Sequence, residues 1–478
     1  MRPLGVGLVF SPKLLPLLRE GDEVASVIEI EPQTLWQLSR TDLRRPYLLN
    51  GERLAELASL PQAKLLHSVG MPVGGSRPAE AAQVELVRSM TEALRPVWAS
   101  EHLSFNVFRD GQGWASAGFL LPPRQIPATV AMAARHVREL GSALECPVAF
   151  ETGVNYLSLQ PGELADGDFF RSVAEEADCG ILLDLHNLWA NARNGRSPVR
   201  DVLAQLPLER VWEVHLAGGM EFNGYWLDAH CGAIPDAVLE IAGEWIPRMP
   251  NLGALIFEIL DEHVAGLGLD GVARQLDKMR HIWALRPARE EMTLHWPTTT
   301  ERALDVASVD DSVRVWENSL GALVIGRSPD GDTDDGLFRR LSSDAGLDVL
   351  RQLVFDSRAG FVSQGLRQTM TLLLGNLGPA VVRGLLQEFM HNQSPELFVS
   401  AEADSFARFL KAKAQDLCVP YLEEVLGFEH ALIRAVLHGE CSTVTFKHEP
   451  SALFDALEHC DILREPPARP TTLVIDPR

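Results

Sequence analysis

Cationic side chains are scarce in this 478-residue chain: 43 Lys and Arg stand against 65 Asp and Glu, a net charge of −22. That balance argues against a non-specific grip on nucleic acid or anionic membrane, because both need a basic surface. Solubility alone accounts for the acidity, and so does a neutral or cationic partner. No stretch of about 18 uninterrupted apolar residues occurs, so no transmembrane helix is expected. The opening MRPLGVGLVFSPKLLPLL starts like a signal peptide, but Gly, Pro and Lys interrupt it and a small-residue cleavage site is wanting. It reads instead as a strand, GVGLVF, followed by a helix. Cysteine is sparse and scattered: Cys146, Cys179, Cys231, Cys418, Cys441 and Cys460 never form a C-x-x-C pair. This disfavours a zinc ribbon or a disulfide framework and fits reduced thiols in a cytoplasmic protein. Internal repeats, low-complexity tracts and a Gly-rich phosphate loop after the first strand are also missing.

What the chain does have is ordinary globular material, 46% apolar and 23% charged. Its length calls for two domains. Up to about residue 285, eight short apolar runs alternate with helix-like segments: GVGLVF, VASVIEIEP, KLLHSVG, WASEHLSF, CPVAFET, CGILLDLHN, RVWEVHLAGG and LGALIFEIL. Strands alternating with helices imply a parallel sheet with right-handed crossovers, and eight repeats imply closure into a (β/α)8 barrel. Residues 286–335 are rich in Pro, Gly and Asp and read as a connector. Residues 336–478 read as a smaller, mainly helical α+β domain. Pro379 opens one helix there, with Val381, Leu385 and Phe389 on one face and Val382, Leu386 and Met390 beside it. STVTFKHEP and TTLVIDPR are strand material.

The apolar runs keep ending in acids and imidazoles. His67, His102, Glu151, Asp184, His215 and Glu258 fall at or near the ends of strands three to eight, and Asp228 and His230 lie in the loop after strand seven. In a barrel of this kind the carboxyl ends of the strands form the active site. Any one of these residues has a plain explanation, as a hydrogen-bonded histidine or as a helix cap. Together they would bury charge at heavy cost unless a cation sat among them. Mixed imidazole and carboxylate donors suit iron, manganese or zinc, and the number of donors implies more than one ion. Glu101 and Glu213 are expected to turn away from the neighbouring histidines and to pair with arginines.

The motifs SEHLSF, FET…NYL, DLHN, EVHLAGG, DAHCGAIPDAV and FEI, in this order, resemble the multinuclear non-haem iron-dependent oxidases that modify ribosomally made peptides, the methanobactin-synthesis oxidase among them. The likeness spans roughly residues 1–285. It implies a triosephosphate-isomerase-type barrel of the xylose-isomerase-like class. It also implies two or three irons of mixed Fe(II)/Fe(III) valence, O2 as co-substrate, and oxidation of a residue, most often cysteine, in a precursor peptide. By position, the implied metal set is His67, His102, Glu151, Asp184, His215, Asp228, His230 and Glu258, with His67, His102, Asp228 and His230 also catalytic. The family has Asp-x-Asn-Asn where this chain has DLHN, and ligates through the position of Asn187; His186 competes, since imidazole is the better ligand. FARFLKAKAQDLCVPYLEEVLGFEHAL resembles the peptide-binding partner proteins of these oxidases, which implies a partner domain fused in cis. Two other readings use the same residues: a divalent-metal sugar isomerase or endonuclease-like hydrolase on the same barrel, and a non-catalytic scaffold that recruits a peptide.

Overall fold

A computed structural model describes residues 2–19, 21, 24–110, 113–288, 291–292, 294, 296, 309–328, 335–459 and 466–477. All eight expected strands are present and close into one parallel barrel: β1 (Gly5–Val9), β2 (Val27–Ile30), β3 (Ala63–Ser68), β4 (Ala99–His102), β5 (Val148–Glu151), β6 (Gly180–Asp184), β7 (Val211–Ala217) and β8 (Ala254–Glu258). Each strand pairs with its sequence neighbours, and β8 pairs with β1 through Gly5–Ala254 to Leu8–Phe257. Long helices such as Ala81–Leu94, Pro127–Leu144 and Leu269–Trp283 line the outside and bury an apolar stripe against the strands.

Strand periodicity layers the barrel interior. Val27, Leu65, Trp98, Ala149, Trp212, Ala254 and Ile256 form an apolar plug toward the amino ends of the strands. Two residues further along, the same inward face carries Glu29, His67, Glu151 and Glu258. The plug is the floor on which the polar layer stands.

Three β-hairpins, unforeseen in the alternating pattern, interrupt the βα units: Trp36–Leu38 with Tyr47–Leu49, Phe105–Asp110 with Gly113–Leu121, and Met220–Phe222 with Tyr225–Leu227. The second anchors the rest of the chain. Residues 286–335, expected as a connector, contain the helix Asp311–Val324, which packs on that hairpin: Trp316 is buried and donates its indole N–H to Pro122 O at 3.0 Å. Val313, Trp316 and Leu320 recur at helical spacing, a signal that the polar flanks mask.

Beyond it stand the helices Gly346–Gly365, Arg367–Asn392, Val399–Leu417 and Leu422–His438. Arg367–Asn392 is long and apolar enough to cross a membrane by length and composition, but it breaks at Gly378, where φ is 77°, and feeds a packed core through Leu373, Val382, Leu386 and Phe389. Pro379 opens its second half, as expected. Val381 stands half exposed, so the inward face is that of Val382, Leu386 and Phe389. The predicted terminal strands pair antiparallel, Ser442–Phe446 with Thr471–Ile475. Cys146, Cys179, Cys231, Cys418 and Cys441 are free thiols, and Cys460 lies outside the described residues.

Candidate metal centre

At the carboxyl end of the barrel the strand-end residues converge. His67 Nε2 and His102 Nε2 approach Glu151 Oε2 at 3.2 and 2.9 Å, across the register that pairs His102 with Glu151. His67 Nδ1 meets Ser100 Oγ at 2.8 Å, and His102 Nδ1 meets Ser68 O at 3.2 Å. These contacts fix which nitrogens face inward. Asp184 ends β6 opposite His215 and accepts the N–H of Asn187 at 2.6 Å, capping the helix Leu185–Arg193. Its other oxygen has no hydrogen-bond partner.

His215 lies between acids on both sides. Its Nδ1 meets Glu258 Oε2 at 2.9 Å, and its Nε2 lies 2.9 Å from Glu29 Oε1 and 3.8 Å from Glu213 Oε1. His230, in the left-handed region at φ 43°, reaches back so that Nε2 lies 2.8 Å from Asp228 Oδ1 and Nδ1 3.3 Å from Glu258 Oε1. Four candidate ligand sets result: His67, His102 and Glu151; Glu151, Asp184 and His215; Asp184, Asp228 and His230; and Glu29, Glu213 and His215. Within each set the ligand atoms lie within 4.8 Å of one another.

Several of these short approaches are not hydrogen bonds. Glu151 Oε2, Asp184 Oδ2, both oxygens of Glu29, Glu213 Oε1, Asn187 Oδ1, His215 Nε2 and His230 Nε2 are buried without an aligned partner. Native interiors rarely leave such groups unpaired. Within each set the candidate ligand atoms lie close enough to share one point, as donors around a cation do. The donor set therefore fits a cluster of divalent or trivalent ions with mixed nitrogen and oxygen ligands.

Electrostatics says the same. Among the described residues no Lys or Arg pairs with these acids. Burial, then the nearby charge of Glu213, pushes the Glu29 carboxyl up to about 7. Burial followed by Asp228 and Glu151 holds Asp184 well above the usual carboxylate range. Burial would also raise Glu151, but the imidazoles of His102 and His67 outweigh it and hold Glu151 well below. Burial opposes charge on His67, His102, His215 and His230, yet the surrounding carboxylates raise all four. The pocket carries more negative charge than its imidazoles can balance.

His186 is spoken for. The Trp226 indole N–H donates to its Nε2 at 2.8 Å, so the ring proton resides on Nδ1 and points to Asp228 Oδ1 at 3.1 Å. Arg193 lies 5.0 Å from the rings of both Trp189 and Trp226 and backs this stack. With both nitrogens engaged, His186 orients Asp228 and offers no free ligand atom. Asn187 keeps Oδ1 unpaired and extends Nδ2 to Glu151 Oε1 at 3.4 Å.

Two acids expected to pair with arginines do not. Glu101 is fully buried and accepts the N–H groups of Met71 and His102 at 2.9 and 2.8 Å. Glu213 faces inward, because two residues along a strand return to the same side as His215, and it accepts the Trp98 indole N–H at 2.8 Å. Glu29 and Glu31 went unnoticed in the sequence, although Val27, Glu29 and Glu31 alternate with the apolar Ile28 and Ile30.

Among solved structures, the D-psicose 3-epimerase of Clostridium cellulolyticum H10 covers 59% of this chain and 99% of its own, with 10% identity and a TM-score of 0.37. A xylose isomerase domain containing protein of Salmonella typhimurium LT2 gives 11% identity and a TM-score of 0.40 over 59% and 98%. The barrel assignment rests on the strand order itself. A UPF0276 protein of Anaeromyxobacter sp. (strain Fw109-5) is 30% identical over 204 residues, 43% of this chain and 70% of that protein. A UPF0276 protein of Chromobacterium violaceum is 32% identical over 196 residues, 41% and 70%. Residues 43–284, from before β3 to the last barrel helix, match the model of the RiPP precursor modification enzymes MbnB/TglH/ChrH. With half of its length matched, the chain belongs to that family, the peptide-modifying one its strand-end motifs resemble.

Proposed function

We propose that this chain carries out an iron- and O2-dependent oxidation of a residue, cysteine, in a ribosomally made precursor peptide. Residues 1–285 form the oxidase, residues 286–335 connect, and residues 336–478 hold the peptide in cis. The carrying observation is the set of buried, unpaired donor atoms at the barrel mouth, in a pocket with an excess of carboxylate. His67, His102 and Glu151 would hold one ion, Glu151, Asp184 and His215 a second, and Asp184, Asp228 and His230 a third. Asn187, whose Nδ2 reaches Glu151 Oε1 and whose Oδ1 is unpaired, adds a donor beside Glu151, while Glu29 and Glu213 flank His215. Bound irons of mixed valence supply one-electron chemistry with O2 as the oxidant.

The chain's own residues prepare that chemistry. Glu258 orients His215 and His230 together through their Nδ1 atoms, and His186 fixes Asp228. His102, Asp228 and His230 are the least buried members of the cluster and face an incoming side chain. His230 Nε2, without an aligned partner while Nδ1 faces Glu258, is the atom this imidazole would offer to the third ion. The apolar plug below closes the pocket to water from the far end of the barrel.

Anaerobic purification, metal quantitation, and incubation with O2 and the precursor peptide encoded beside this chain test the reading. A change in peptide mass that needs both iron and O2 is expected. An unchanged mass with iron-loaded protein overturns the substrate assignment. Turnover with zinc or manganese in the absence of O2 favours the divalent-metal isomerase or hydrolase reading instead.

A further inference from the structure

A cleft of about 770 Å³ runs from the barrel mouth to the C-terminal helices. Its barrel wall includes Glu31, Gln37 and Val69; its far wall includes Phe361, Gln364 and Phe398; the hairpin after β4 contributes Asn106 and Phe119. The volume lies in the range of pockets that enclose a ligand, and amides beside aromatic side chains suit an extended backbone. Neither Lys nor Arg lines it among the described residues. Arg77 belongs to an adjoining narrow recess and leans over Trp114 at 5.9 Å.

Two carboxylates line the cleft, and they differ. Glu396 lies 3.9 Å from Arg40 and is partly compensated. Glu31 follows β2 and precedes the short turn of helix Pro32–Leu35, yet its side chain makes no capping hydrogen bond. Its backbone carbonyl accepts from Thr34 Oγ1 at 2.7 Å, but among the described residues its carboxylate has no hydrogen-bond or ion-pair partner. It also lies close enough to feel the charges of Glu258, His67, His230 and His102. An acid whose carboxylate makes no hydrogen bond or ion pair thus stands in the cleft wall on the side of the candidate metal centre, with the imidazoles of His67, His230 and His102 and the carboxylate of Glu258 in its surroundings.

We infer that the cleft receives an extended peptide segment with a cationic side chain, Lys or Arg, next to the residue brought to the centre, and that Glu31 anchors that cation. The inference rests on the reading of the substrate as a peptide and adds its charge. A cation there gains a charge-assisted hydrogen bond in a site that excludes much of the solvent, and it relieves the repulsion between Glu31 and Glu258. A peptide with Asp or Glu at the same position brings a second anion to a wall without cations and is rejected.

The test uses fluorescein-labelled synthetic octapeptides with a central cysteine flanked by Lys, Gln or Glu. They are titrated by anisotropy into the iron-loaded full chain under argon at low salt. The Lys peptide is expected to bind about tenfold more tightly than the Glu peptide, equivalent to about 1.4 kcal/mol. Glu31→Gln is expected to shrink that gap to about twofold at unchanged iron content. No binding by any peptide, an order independent of charge, a gap that survives Glu31→Gln, or loss of iron in that variant each overturns the inference; the last makes Glu31 a ligand. If the charge order holds but the neighbouring precursor is left unchanged by O2, the oxidase reading fails and the cationic-peptide cleft stands.

Discussion

The barrel mouth and the C-terminal helices both bury charge, and they do it in opposite ways. Among the helices, Arg358 donates to Glu402 at 2.6 Å and to the carbonyls of Met390 and Ser394. Glu429 accepts the N–H groups of Gln368 and Thr369 at 2.8 Å each, closing the start of the helix Arg367–Asn392. Asp404 is held by His430 at 2.8 Å and by Arg408 at 3.1 Å. Each of these acids has a partner with its donors aimed. At the barrel mouth the acids are as deeply buried, but several oxygens aim at nothing in the chain. Burial of charge alone therefore marks no site. Burial that the protein leaves unsatisfied does.

The contrast breaks most visibly under truncation. Glu402→Ala strands the Arg358 guanidinium and is expected to cost about 3–5 kcal/mol in equilibrium unfolding, with metal content per folded chain unchanged. Glu151→Ala is expected to do the reverse: it removes a donor shared by two ligand sets, lowers bound metal, and cuts turnover by more than about a hundredfold, past the range for outer contacts. Metal analysis on the folded fraction, beside denaturant titrations, separates the two. Equal metal content in both variants would erase the distinction.

Neutralising one acid of the crowded mouth sharpens the comparison further. Glu29 keeps its proton up to about 7 in the folded chain, against an ordinary 4.5 when unfolded. Raising the pH through that window costs the folded state stability, and above it the full cost remains. Glu29→Gln is therefore expected to stabilise the chelator-treated protein at pH 8 by up to about 3 kcal/mol, with the gain fading toward pH 4.5. A loss of stability at pH 8 would mean that Glu29 is satisfied after all.

The smallest effect belongs to His186. His186→Phe frees Asp228 to turn and is expected to weaken metal affinity about 10–100-fold, while His186→Asn, which brings back the family's pattern, retains more. Competition against a metal-sensitive dye measures both. Loss of one whole ion in His186→Phe would make the imidazole a ligand.

Much of the barrel was legible because strand and helix periods differ and the eight short apolar runs alternate with helix-like segments. The gathering of strand-end residues followed from topology, since parallel strands put all their carboxyl ends on one rim. Glu213 shows where reading stopped short: it is two residues from His215, and the period of two already put it on the same side. Glu29 was hidden by an apolar run that makes it look like a stray charge. The hairpins and the helix Asp311–Val324 escaped because tertiary partners, not local pattern, decide them: Trp316 and Phe108 are buried together in one apolar cluster to which the hairpin, the helix and later segments all contribute.

From its sequence alone this chain sets strand number, order and the rim to which its acids and imidazoles go, because those depend on periodicity and connection handedness, which are local. The tertiary structure alone decides that both nitrogens of His186 are engaged, which oxygens remain unpaired, and that a cleft lined by neither Lys nor Arg among the described residues joins the rim to the helices. Those are matters of distance and direction between residues far apart in the chain, and no spacing along a sequence encodes them.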